Sequence, residues 1–202
     1  VLEARRHGCT VVGEDLGTVP QYVPRMMKRH GLRSMYVVQY EMKPEGDEPA
    51  GTPPAESVAS INTHDMPTFA GFWSGADIDD RVEQDLLTRR GAEEEREKRE
   101  QMRRALIRSL KAQGLLPEAG GDTKAVLEAL LRFLSASPAE VVLVNVEDLW
   151  LETGPQNVPG VPQQSWKQKL RLTLDEIRRD PEVLRMLRAV DESRKEVHGR
   201  QT

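Results

Sequence analysis

The sequence predicts an α/β fold built on parallel strands, and three observations lead there. Short apolar, β-branched runs alternate with helical segments, and parallel strands need such crossovers to carry the chain back across the sheet. The runs are apolar on both faces, as expected of strands covered from either side. At 202 residues, 38% hydrophobic and 31% charged, the chain holds enough apolar material for a packed core, which argues against wholesale disorder.

Residues 1–8 read as the last turns of a helix, with Arg5 and Arg6 near its end and Gly8 closing it. No initiator Met or helix start precedes them, so the expectation is a chain that begins inside a domain, as a piece of something larger. Residues 10–15 form a first strand ending in Glu14-Asp15, and residues 16–20 turn the chain. A helix over residues 20–30 tolerates Pro20 and Pro24 in its first turn and stops at Gly31. The second strand spans residues 34–40, and the Pro- and Gly-rich stretch 43–57 is a loop. A weaker third strand, 58–62, runs into Thr63-His64-Asp65.

Residues 77–90 and 92–114 are helical and dense in Glu, Arg and Leu. The pairs Glu94 with Lys98 and Glu95 with Arg99 sit one turn apart, which marks a solvated surface helix. Residues 123–134 form a further amphipathic helix. The clearest strand, 140–146, again ends in an acidic pair, Glu147-Asp148. A loop over 154–164 and two closing helices, 165–178 and 180–197, complete the chain, giving four strands and no internal repeat.

Composition excludes several functions. With 29 Lys+Arg against 33 Asp+Glu, the formal net charge is -4, so no basic excess exists to neutralise nucleic-acid phosphates or an anionic membrane. The single cysteine, Cys9, precludes an internal disulfide and any multi-Cys zinc site, which fits a reducing cytoplasm. No apolar run approaches the ~18 residues of a membrane span, and no signal peptide opens the sequence. Gly13 and Gly17 lack dinucleotide-fingerprint spacing, so no cofactor is expected.

Three of the four expected strands end in acids, at Glu14-Asp15, His64-Asp65 and Glu147-Asp148. In parallel α/β folds functional groups gather at the carboxyl ends of strands. One acid there is usually a helix cap or loop ligand, but three at one edge favour a carboxylate site. Paired carboxylates serve glycosyl transfer or bind a metal, and spacing alone does not separate the two. Glu14, His64, Asp65 and Asp148 are the conceivable metal ligands; lacking HxH or HExxH pairs, they rank below the carbohydrate reading.

Three segments carry a family likeness: Val12-Gly13-Glu14-Asp15-Leu16-Gly17-Thr18-Val19-Pro20, then Asn62-Thr63-His64-Asp65-Met66-Pro67-Thr68-Phe69-Ala70-Gly71-Phe72-Trp73, then Gln156-Asn157-Val158-Pro159-Gly160 with Trp166 downstream. In this order and spacing they resemble the 4-α-glucanotransferases, or amylomaltases, along nearly the whole chain. The resemblance implies the C-terminal half of a (β/α)8 TIM barrel, strands five to eight with added surface helices. Residues 1–202 would form that half, with 76–136 a helical insertion within it; an intact barrel needs about 250 residues.

The resemblance also assigns roles. Glu14 becomes the general acid/base and Asp65 the stabiliser of the transition state. His64, Asn157, Trp73 and Gln39 make up the expected substrate-binding set. In retaining transfer a second carboxyl lies about 5 Å from the nucleophile, protonates the leaving oxygen and then deprotonates the acceptor. Glu14 must therefore rest protonated, which asks for partial burial near negative charge. Asp65 stays ionised to hold donor-sugar hydroxyls, and His64 donates to the same sugar. Trp73 and Phe72 offer faces for a glucose ring, or else pack beneath the loop.

The partners implied are maltodextrin or starch-type glucans, with no nucleic acid and no membrane. The family's nucleophile, an aspartate within an Arg-Ile/Leu-Asp-His-type motif, is missing, so this chain alone is expected not to turn over maltodextrin. Ser165 also departs from the family, which often has Asn before the tryptophan. The alternatives are a piece of an α-amylase-like hydrolase and a non-catalytic glucan-binding module. A half barrel exposes two strand edges, so self-association is expected as well.

Overall fold

Strands β1 (Ser34–Val37), β2 (Ser57–Ser60) and β3 (Val141–Val142) make a parallel sheet in chain order, in a computed structural model that describes residues 1–46 and 48–199. The first expected strand contracts to one parallel bridge, Val12 with Arg33. Gly13 N–H donates to Arg33 O at 2.9 Å, but the next donor of β1, Met35 N–H, is taken by the Asp15 carboxylate at 2.9 Å. A side chain thus replaces a ladder carbonyl, and pairing stops there. The four expected runs still lie side by side and parallel, in the predicted order.

The other strands are shorter than predicted. β1 ends at Val37, where the chain enters a helical turn, α3, labelled in chain order after α1 (Leu2–Arg6) and α2 (Tyr22–His30) and spanning Val38–Glu41. β3 yields after two residues to an extended segment and a 3-10 turn, Val146–Trp150. Gly31 ends α2 in the left-handed conformation, φ 69°, as its position predicts.

Register decides which residues meet the helical layer. Tyr36, Ala59 and Val142 are level with one another and face the helical layer, where they join the core. Alternate residues face the other way, where Val37, Val58 and Ser60 are buried too and exposure appears only at the β3 edge, Val141 at 37% and Leu143 at 50%. The helical layer consists of α4 (Phe69–Ser74), α5 (Ala76–Glu83), α6 (Arg89–Ala112), α7 (Thr123–Ser135), α8 (Leu174–Ile177) and α9 (Pro181–His198). Its densest part is α7, whose Val126, Leu127, Leu130, Leu131 and Leu134 are all buried. Arg194 of α9 donates to the carbonyls of Ala139 and Glu140, which ties this layer to the approach into β3.

The predicted helix over 165–178 is a correction. Only α8 forms, opened by a capping box between Thr173 and Glu176. Upstream, Trp166 takes a left-handed backbone, φ 59°, and donates its N–H to Gln156 O at 2.7 Å, which a helix cannot accommodate. The preceding helical region also breaks earlier than expected, between Glu83 and Arg89, where Thr88 caps α6 by accepting from Gly91 N–H. Among the described residues no helix is long and apolar enough to cross a membrane.

Two buried polar devices fix the helices that carry the site. Arg99 of α6 forms a two-pronged pair with Asp77 of α5 at 3.0 and 3.1 Å, donates to Phe72 O of α4 at 2.6 Å, and lies over the Phe72 ring at 3.7 Å. The second device is Asp148, 2% exposed, in the 3-10 turn after β3. One carboxylate oxygen accepts from Phe69 N–H at the start of α4 at 2.7 Å; the other accepts from Asn62 Nδ2 after β2 at 2.9 Å. Asn145 donates to the Asn62 carbonyl oxygen in turn.

Burial pushes the Asp148 carboxyl up to about 6, against two hydrogen bonds that favour the ionised form. Between about pH 4 and 6 the folded protein keeps a proton that the unfolded chain has lost. Stability from this group is therefore full below pH 4 and falls by about 3 kcal/mol as pH rises through 6. Urea unfolding of wild type and Asp148→Asn from pH 4 to 7 should show the difference between them shifting by about that amount in favour of the variant. Parallel profiles would contradict the assignment. Arg99→Met, which strands the buried Asp77, should cost about 3–5 kcal/mol, and adding Asp77→Leu should recover more than half, read from the same unfolding midpoints.

Candidate active site at the carboxyl edge of the sheet

Residues 61–68 leave β2 as a turn anchored at both ends. Asn62 is held by Asp148, while Pro67 O accepts from Gln39 Nε2 at 3.2 Å and Asn62 Nδ2 at 3.3 Å. Thr68 caps α4 by accepting from Gly71 N–H. Between these fixed points the chain turns outward: Met66 N–H donates to Thr63 O, and Asp65 N–H reaches Thr63 Oγ1 at 3.3 Å. His64 and Asp65 therefore stand on a braced tip with their side chains 63% and 46% exposed.

The loop following the 3-10 turn comes to meet them. It approaches α4 so closely at Gly71 that a Cβ there would lie 2.6 Å from Thr153 O, so only glycine fits. Asn157 Nδ2 donates to Asp65 Oδ1, and His64 Nε2 is 3.5 Å from the same oxygen. Asp65 Oδ2 has no partner among the described residues. Ser165 ties the loop together, its hydroxyl within 3.0 Å of the carbonyls of both Val158 and Val161. The side chain that the sequence left without a purpose here thus holds the loop closed. Trp166 follows, 65% exposed, its ring 5.4 Å from that of His64.

The expected site residues divide into three groups. His64, Asp65 and Asn157 are brought together. Glu14 lies after the Val12 bridge, at the carboxyl end of the neighbouring strand, and no hydrogen bond or ion pair joins it to that cluster among the described residues. It is exposed, not partly buried as its expected role asks, because only β1 flanks this segment and its other side is open. Gln39 and Trp73 are inside the protein at 7% and 5% exposure. Gln39 braces the turn through Pro67 O, leaving its own carbonyl oxygen without a partner. Trp73 stacks on Phe69 at 5.5 Å and is capped by Arg103, and Phe72 lies beneath Arg99, so both aromatics take the packing alternative.

Two contributors have roles that the sequence does not give. Asp148 is read from sequence only as an acid after a strand and a conceivable metal ligand, and nothing in its spacing discloses the pairing with Asn62, 86 residues away. Trp166 was visible as a motif residue, but its left-handed backbone and exposure depend on contacts with Gln156 and His64. Among the described residues, no group of three or more His, Cys, Asp or Glu is arranged to hold a metal ion.

The comparisons agree with one another. The chain is 35% identical over 175 residues to the 4-alpha-glucanotransferase of Mycobacterium tuberculosis, covering 82% of this chain and 24% of that protein. With the Haemophilus influenzae 4-alpha-glucanotransferase it shares 27% identity over 179 residues, 84% of this chain and 26% of the relative. Its fold matches the amylomaltase of Corynebacterium glutamicum with a TM-score of 0.81 at 24% identity, covering 94% of this chain and 30% of that structure. A Streptococcus agalactiae amylomaltase in complex with acarbose matches at 0.65 with 14% identity, over 94% of this chain and 33% of that one. The chain thus spans about a quarter to a third of the length of these relatives. The profile of the 4-alpha-glucanotransferase family matches residues 1–174, and the chain belongs to that family.

Proposed function

We propose that this chain is the acid/base half of a retaining 4-α-glucanotransferase, strands five to eight of a (β/α)8 barrel, with residues 76–136 as a helical elaboration between strands. The observation that carries the reading is the Asp65 carboxylate, oriented through one oxygen by Asn157 and His64 and open at the other, at the edge of a parallel sheet that also carries Glu14. The open oxygen is free to accept from a sugar hydroxyl. Its hold strengthens as the donor ring flattens and positive charge develops.

In this reading Glu14 protonates the glycosidic oxygen as the bond to the donor breaks. The nucleophile, supplied from outside this sequence, takes the anomeric carbon. Glu14 then removes the proton from the 4-hydroxyl of an acceptor glucan as that oxygen displaces the nucleophile. The exposure of Glu14 fits a group awaiting the wall that the remaining strands provide. Capture by a glucan in place of water exchanges α-1,4 bonds without losing them, and the relatives' names support that outcome. The cytoplasm is the compartment proposed for this chemistry.

Incubating the full-length protein with maltotriose should yield glucose and a ladder of longer glucans; net hydrolysis to maltose and glucose would overturn transfer. Glu14→Gln should lower kcat roughly 10²–10⁴-fold with maltodextrin binding retained, and Asp65→Asn should reduce kcat far more than it raises KM. The 202-residue chain by itself should produce no ladder. The sheet face bearing Val141 and Leu143 is proposed to drive self-association of the isolated chain, and light scattering showing a monomer at all concentrations would remove that expectation.

A further inference from the structure

We infer that Trp166 is a stacking wall of the site, receiving the apolar face of a pyranose ring whose hydroxyls reach Asp65 and Asn157. This rests on the glucanotransferase reading above. Trp166 is 65% exposed, whereas Trp73 is 5% exposed, so the protein leaves bare a side chain that folding alone would bury. Its backbone is also held where large L-residues are disfavoured, at φ 59°, by the Gln156 carbonyl and by the loop that Ser165 closes. That conformation costs about 1–2 kcal/mol. It contributes nothing to the core, and its effect is to stand the indole beside His64, with ring centroids 5.4 Å apart and planes tilted by 39°.

The surroundings match one ligand chemistry. A pyranose presents a sheet of C–H groups on one face and hydroxyls around its rim. Indole offers a broad, rigid apolar surface for the face. The open oxygen of Asp65 accepts from a rim hydroxyl, and the Asn157 carbonyl oxygen, on the amide whose nitrogen serves Asp65, accepts from another. Linear polyols have the hydroxyls without the face. Small organic cations would favour the carboxylate and indole but make no use of the amide.

Fluorescence and kinetics together decide the matter in the full-length protein. With Glu14→Gln blocking turnover, maltotriose should change the tryptophan emission, and Trp166→Phe should remove a distinct part of that change; within these residues Trp73 is buried and Trp150 only partly accessible, so neither supplies that part. Sorbitol should have no effect; a response to tetramethylammonium but not to maltotriose would overturn the inference. In the otherwise wild-type enzyme, Trp166→Gly removes the indole and relieves the left-handed backbone at once. It should raise KM for maltotriose about tenfold with kcat nearly kept, and Trp166→Phe should restore most of the loss. An unchanged KM together with silent emission, in a protein that exchanges glucans, sinks the stacking role alone. If the full-length protein exchanges no glucan, the catalytic reading fails, and the effect of Trp166→Phe on the maltotriose emission change alone then upholds or rejects the sugar contact. Should the glycine variant fail to fold, the difference in maltotriose-induced emission between wild type and Trp166→Phe settles the question in its place.

Discussion

A buried carboxylate governs the arrangement of the whole edge. Asp148 joins the segment after β3, the segment after β2 and the first free N–H of α4. Burying a carboxylate is costly, and the protein offsets that cost with two directed hydrogen bonds and a further link from Asn145 to Asn62. The return is geometric. With Asn62 and Phe69 both fixed, the seven residues from Asn62 to Thr68 have little freedom except to turn outward, and His64 and Asp65 occupy the tip.

The helical layer supports the same place from behind. Arg99 reaches from α6 to the carbonyl at Phe72 and to Asp77, so the longest helix positions the short one on which the turn is mounted. Gly71 then lets the backbone at Thr153 come into contact, which delivers Asn157 to Asp65. Asp65 is therefore held by its neighbours Thr63 and His64 and by Asn157 from a distant stretch, on a turn that Asp148 anchors through Asn62. This explains why its own side chain stays half exposed: the structure that orients it lies underneath and to one side.

Glu14 is treated differently. Its segment is attached to the sheet through a single bridge and a borrowed side-chain acceptor, Asp15, and it faces open space on the side away from β1. A braced Asp65 and a loosely walled Glu14 make the asymmetry expected if one carboxylate is positioned within these residues and the other depends on neighbours beyond them. The proposed half-barrel arrangement gives that asymmetry a cause, since the edge left open beside the Val12 bridge is one that further strands would close.

Sequence by itself determined the alternation of strands and helices, their parallel order, the helix stop at Gly31 and the family, because each rests on local composition or on motifs read in order. It also identified Glu14, His64, Asp65 and Asn157 as the chemical groups of interest. Tertiary structure decided everything that depends on distant partners. It ended the first strand by lending Asp15 to Met35, and it drew Gln39 and Trp73 inside. It also replaced a predicted helix with the turn that displays Trp166, and made Asp148 an anchor instead of one more acidic residue. The physical reason is range: apolar periodicity and turn chemistry act over a few residues, whereas a buried hydrogen bond joins groups as far apart as Asn62 and Asp148, and no pattern along the chain encodes that meeting.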